Sequence, residues 1–224
     1  MNVIVPLEMG TFTFPDDEPW PGEEGVVVAY AVRHPGGIVL FDTGFGSGDP
    51  DLDARYHPVP RPMAEVLAVA GIALEAVTTV VNCHLHADHA GQNAGVIGIP
   101  ILVQPAEWEV AHTTDHTILD WIEGPGVRYE HIAGDHDVAP GIRVIATPGH
   151  TPGHQSLAVE TAEGLTLLVG QAVYSMGEWT GDPSAREGRS GAPDQAAYDR
   201  SVAKLRGLAP ARVRFAHDRL DWRA

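Results

Sequence analysis

The segment VTTVVN, residues 77–82, runs without a break into CHLHADH and sets His84, His86, Asp88 and His89 within six residues. The first stretch is β-branched and apolar, the composition of a buried strand. Alternate side chains of an extended backbone share a face, so His84 and His86 can address one point together. If the chain turns after His86, Asp88 and His89 can address a neighbouring point. Imidazole nitrogens and a carboxylate oxygen are donors that Zn²⁺ accepts. A fold for this chain must therefore hold a strand end rigidly enough to present four polar side chains to one place.

Two more histidines stand where a sheet would deliver them to the same rim. His150 lies in TPGHTPGH and His217 in FAHD, each just past a run that reads as a strand. His154, close to His150, reads as a hydrogen-bonding support. Strands are expected at 25–34 and 38–42, paired as a hairpin around Pro35-Gly36-Gly37, and at 77–82, 101–103, 127–132, 142–146, 155–159, 165–169 and 212–215. Helices are expected at 63–70, from Pro105 to about His112, and over 193–205. Residues 43–62, rich in Gly, Pro and Asp, read as a long functional loop, and 175–191 as a second. Strand-rich halves that each carry helices point to stacked sheets covered by helices. No composition break marks a linker, so residues 1–224 are read as one domain.

Charge narrows the partners. Asp and Glu outnumber Lys and Arg by 30 to 14, a net charge of −16. Such a chain repels phosphate backbones and lacks the basic clusters that hold proteins on anionic lipid. Nucleic acid and membrane are therefore set aside in favour of a small-molecule substrate, and oligomeric state is left open. The single cysteine, Cys83, rules out an internal disulfide framework and reads as a small core residue. The opening MNVIVPLEMG lacks the basic region of a secretory signal, and a cytoplasmic location is expected.

The HLHADH run, Gly134-Asp135, TPGHTPGH at 147–154, FAHD at 215–218 and FDTG at 41–44 together resemble the metallo-β-lactamase superfamily. NCHLHADHAGQN, GHQS and Ala172-Val173-Tyr174 are most similar to its N-acyl-homoserine lactonase branch. The resemblance implies a four-layer αββα sandwich with the metal site at one edge of the sheets. It implies one or two divalent ions, zinc first among them. His84, His86 and His150 would hold the first, and Asp88, His89 and His217 the second. Asp42 would orient a ligand histidine, and Tyr174 would hydrogen-bond the substrate carbonyl. The implied activity is opening of a lactone, or cleavage of an ester, by a metal-activated hydroxide, with Asp88 and Tyr174 as catalytic groups. Met176 and Trp179 are expected to wall an acyl or aryl pocket.

One position departs from the pattern. Where the family carries an aspartate between the two ions, this chain has Gln171. A neutral amide cannot bridge as a carboxylate does. The ions then lack one negative charge between them, and the second site is expected to be weak. Gln171 also cannot pass a proton to the leaving alkoxide. Alternatives are a thioester hydrolase resembling glyoxalase II, an organophosphate or aryl-ester hydrolase, and a degenerate member that binds metal or ligand with little turnover.

Overall fold

The central strands of this chain are apolar on both faces, and only a layer buried from both sides accommodates that. In the strand 24–34, Val26, Val28, Tyr30 and Val32 join one apolar cluster, while Val27, Ala29 and Ala31 join another. The computed structural model, which describes residues 1–18, 20–115, 117–182 and 191–224, shows two such sheets face to face.

The first sheet comprises β1 (Val3–Thr13), β2 (Glu24–His34), β3 (Gly37–Phe41), β4 (Val59–Pro60), β5 (Val77–Val81), β6 (Pro100–Val103) and β7 (Arg128–His131), in the order β4-β1-β2-β3-β5-β6-β7. The second comprises β8 (His136–Ala139), β9 (Ile142–Ala146), β10 (Gln155–Thr161), β11 (Gly164–Leu168), β12 (Arg212–Arg214) and β13 (Asp221–Arg223), in the order β13-β12-β11-β10-β9-β8. The expected hairpin joins β2 to β3 antiparallel, with His34 opposite Gly37. Gly37 takes φ +132°, a backbone conformation that side chains disfavour.

Between the sheets, Val39, Phe41, Val81 and Leu102 meet Ile142, Val144, Leu157, Val159 and Leu168. Each large apolar side chain fully buried there stabilises the fold by roughly 1.5–3 kcal/mol. The helices are α1 (Pro50–Tyr56), α2 (Met63–Val69), α3 (Ala87–Ala90), α4 (Pro105–Thr113), α5 (Leu119–Ile122), α6 (Met176–Thr180) and α7 (Gln195–Gly207). Met63, Val66 and Leu67 of α2 cover the outer face of the first sheet. Leu205 of α7 packs with Leu167, Val169 and Val213 on the outer face of the second. The architecture is the four-layer αββα sandwich of the metallo-β-lactamase fold.

Two readings of the sequence need correction. The stretch 43–62 is not structureless: α1 forms inside it, capped by Asp49, whose carboxylate accepts from the Leu52 amide at 2.8 Å. Asp49 followed by Pro50 is a helix-start signal, outweighed at first sight by the Gly and Pro around it. Residues 175–182 of the second supposed loop likewise hold α6, capped by the Ser175 side chain; positions 183–190 lie outside the described residues. The eleven-residue β1 also escaped the sequence reading. Its pairing with β2 shifts register between Glu8 and Gly10, which breaks the alternation that signals a strand. Among the described residues, no helix is long and apolar enough to cross a membrane.

Candidate metal centre

The β5 strand ends at Val81, and the chain passes with a bend at Cys83 through His84 to His86, whose backbone is extended, before α3 begins at Ala87. The turn at this helix start sends Asp88 and His89 to a second point, as the spacing implied. From the other sheet come His150, after β9, Gln171, after β11, and His217, after β12.

Two groups of donors result. In the first, His84 Nε2 lies 2.9 Å from His86 Nδ1, and His150 Nε2 lies 3.2 Å from His84 Nε2 and 3.1 Å from His86 Nδ1. An N–H points along only one edge of such a triangle, so three nitrogens cannot satisfy one another. Converging lone pairs are what one ion, bound at ~2.0–2.1 Å by each nitrogen, requires. In the second, His89 Nε2 and His217 Nε2 are 3.2 Å apart, and Asp88 Oδ2 lies 3.4 Å and 3.5 Å from them. The Gln171 amide oxygen is 3.3 Å from His217 Nε2. The donor types and their convergence fit a pair of divalent ions.

Groups behind the histidines set their tautomers. His89 Nδ1 lies 3.0 Å from Asp42 Oδ2, and His217 Nδ1 lies 2.9 Å from the Val26 carbonyl. Both partners only accept, so Nδ1 carries the proton and each Nε2 turns a lone pair to the site. Asp42 also accepts the Cys83 amide at 2.7 Å, from a left-handed backbone at φ +68°. That conformation is uncommon outside glycine and costs energy, which the two hydrogen bonds offset. Cys83 is fully buried, as read, and its sulfur lies 3.1 Å and 3.2 Å from Nδ1 of His84 and His89. His154 is no part of either group. Its Nδ1 meets Thr147 Oγ1 at 2.9 Å, and its Nε2 accepts the Gln171 amide at 3.1 Å.

Burial and the neighbouring imidazoles push His84 well below the usual histidine range. Burial likewise takes His217 down to about 4. At neutral pH both are uncharged, the form in which imidazole ligates. For His89, burial opposes a charge, but Asp88 and Asp42 outweigh it and hold its pKa well above the usual value. A divalent cation at Nε2 meets the same negative field. Asp88 is the converse: burial raises its pKa, yet the histidines beside it hold the carboxyl well below the usual range.

His86 and His150 of the first group and Asp88 and His217 of the second form the floor of a cavity of about 660 Å³, walled by Phe12, Phe14, Phe45, Tyr56 and Ile118. Tyr174 lines it, its ring stacked on His217 at 4.5 Å between centroids. Its buried hydroxyl has no hydrogen-bond partner among the described residues. An O–H left unpaired in such a position is available to a bound carbonyl. Met176 and Trp179 do not belong to this wall. Trp179 is 6% exposed and packs with Leu205, Val213 and Phe215 beneath the second sheet, with Met176 against the same cluster. The turn of α6 rotates both away from the cavity.

Glu107 was missed. It is 1% exposed, and one carboxylate oxygen accepts the Leu85 amide at 2.9 Å while the other accepts the Thr151 hydroxyl at 2.5 Å. One side chain thus joins the segment carrying His84 and His86 to the loop carrying His150. Its spacing of four from the buried Ala111 was the available signal, since it sets a carboxylate on the inward face of α4.

The fold and the paired donor groups define a class, and comparison with known proteins agrees: the Metallo-beta-lactamase superfamily model matches residues 22–222, and the chain belongs to that superfamily. Within it, the chain is 35% identical over 170 residues to an N-acyl homoserine lactonase of Bacillus sp., covering 69% of this chain and 68% of that protein. It is 31% identical to the N-acyl homoserine lactonase AttM of Azorhizobium caulinodans, covering 86% and 82%. A crystal structure of a B. thuringiensis AiiA mutant with N-decanoyl-L-homoserine at its active site superimposes with a TM-score of 0.78 at 25% identity, over 97% of this chain and 93% of that one. These relatives are lactonases, a neighbouring N-acyl homoserine lactone hydrolase structure holds its product at a catalytic metal center, and this chain is an enzyme of the same hydrolase type.

Proposed function

We propose that this chain opens the ring of a small lactone, of the N-acyl homoserine lactone kind, by hydrolysis at the floor of the cavity. The observation that carries the reading is the pair of donor groups converging at a cavity that Tyr174, its hydroxyl unpaired, also lines. His84, His86 and His150 would hold one ion, and Asp88, His89 and His217 a second, with the Gln171 oxygen beside the second group. Zinc suits the nitrogen-rich donor set. Bound there, divalent ions supply Lewis acidity, which makes water a nucleophile near neutral pH and polarises a carbonyl.

The remaining work falls to side chains. The Tyr174 O–H donates to the substrate carbonyl oxygen, and that bond strengthens as charge develops on the oxygen. Burial pushes the Tyr174 pKa up, so the donor keeps its proton at working pH. Asp88, held ionised, takes the proton of the attacking water on its carboxylate and returns it to the leaving alkoxide. Gln171 can hydrogen-bond the alkoxide but has no proton to give. The aromatic wall receives an apolar acyl arm and excludes water.

The test is direct. Zinc-loaded protein is assayed against an N-acyl homoserine lactone, an aryl ester, a thioester and a phosphotriester, with ring opening followed by proton release. Lactone turnover lost on chelation and regained with zinc supports the proposal. Faster cleavage of the thioester or phosphotriester would replace it with that chemistry.

A further inference from the structure

Away from its histidine floor the cavity is acidic. Glu18, Asp49, Asp51 and Asp115 line it, and Asp51 and Asp115 are exposed. Arg55 is the only lysine or arginine among the described lining residues. That guanidinium is already engaged, 3.1 Å from Asp17 and 3.4 Å from Glu18. The wall beneath these carboxylates is aromatic: Phe12 packs edge-to-face with Phe14 at 4.9 Å and with Phe45 at 5.8 Å. Charges of one sign beside a low-dielectric wall focus their field into the opening between them.

We infer that this rim makes the enzyme select by the charge on its substrate's side arm, taking neutral and cationic lactones or esters and rejecting anionic ones. The inference rests on the hydrolase reading above. The floor, once it holds cations, draws in any carbonyl and by itself favours an anionic arm, so a preference for cationic arms is the mark of the rim. A carbonyl held there leaves the arm to run along the aromatic wall toward the carboxylates, and the rim acts on whatever charge the arm carries. At separations of about 8 Å in water each carboxylate changes the affinity for a unit charge roughly twofold, and several acting together multiply. Substrates that carry a carboxylate on the arm are disfavoured by the same field.

Three γ-butyrolactones with α-acylamino arms of matched length test this: one arm ending in a methyl group, one in trimethylammonium, one in carboxylate. The ratio of kcat/KM for the cationic over the anionic lactone should be at least about tenfold at low salt and fall to about threefold or less at ~0.5 M sodium chloride. The Asp51→Asn/Asp115→Asn variant should lower the low-salt ratio about tenfold, because each carboxylate acts oppositely on the two charges and so counts about fourfold in their ratio. The Glu65→Gln/Glu75→Gln variant makes the same change in net charge at exposed sites off the cavity and should leave the ratio in place. The corresponding γ-lactams, titrated by calorimetry into the zinc-loaded protein, should bind in the same charge order. A ratio near one, or equal effects of the two double variants, overturns the inference and leaves lactone hydrolysis standing. Lack of turnover of all three lactones overturns the hydrolase reading, and lactam binding then still decides the charge preference.

Discussion

His86 faces both other members of the first triangle, at 2.9 Å and 3.1 Å. Its loss leaves two imidazoles, too few for an open catalytic zinc site. The His86→Ala protein should bind at most one zinc and lose turnover with it, read by elemental analysis and assay. Tyr174 acts differently, because it touches no donor of either group through its hydroxyl. Tyr174→Phe should lower kcat by about 10²-fold at unchanged zinc content, the usual cost of one oxyanion donor. Gln171 predicts a gain. Its oxygen already faces His217, so Gln171→Asp sets a negative charge beside the second group. A zinc titration should then show the weaker site tightened by about tenfold, since Coulomb terms at these distances are large even at an effective dielectric of ~20. Two equally tight ions in both proteins would show that the amide imposes no handicap.

Among the elements, Glu107 on α4 is the strut between the two histidine-bearing segments. Truncating it leaves the Leu85 amide and Thr151 hydroxyl buried without their acceptor. Glu107→Ala should cost about 2–4 kcal/mol of stability and weaken zinc binding, measured by denaturant titration and chelator competition. Lys204 on α7 offers a gentler case: its ammonium pairs with Asp135, which also accepts the Ala146 amide at 2.9 Å. Burial raises the Asp135 pKa, but Lys204 and that amide outweigh it and hold the carboxyl below its usual value. A depressed carboxyl stabilises the fold above its unfolded pKa, and this is lost as pH falls through the folded value. Lys204→Met should therefore lower Tm at neutral pH, with the difference from the parent shrinking in acid. Elements with a clean period or a β-branched run, such as β2, β5 and β10, were legible in the sequence, as was the local spacing of His84, His86, Asp88 and His89; His150 and His217 stood out only by the strand ends before them and by the family resemblance. The helices α1 and α6, and with them the fate of Trp179, were not. They are short, sit among Gly, Pro and Asp, and owe their existence to one capping side chain and to what they pack on. Glu107 was hidden for another reason: its partners lie 22 and 44 residues away.

For the molecule as a whole, net charge and bound ions set the stability. At −16 the folded chain repels itself, and moderate salt should raise Tm by screening. On the proposed reading, zinc adds to this by binding the folded form alone, worth about 4.1 kcal/mol at a thousandfold excess over Kd. Chelation should lower Tm correspondingly, a shift that scanning calorimetry reads. Each donor group takes two members from the segment after β5, in the first sheet, and one from the second sheet: His84 and His86 with His150, Asp88 and His89 with His217. The sheets are also consecutive in the chain, strands 3–131 making one and 136–223 the other. A ribosome releasing this protein thus exposes two-thirds of each site long before the last third exists. The nascent chain would hold an ion only loosely until the second sheet docks, and His217 is the last of the six donors in the chain. Ion capture would thereby wait for the second sheet, and a tightly held ion would report that the two halves have closed on each other.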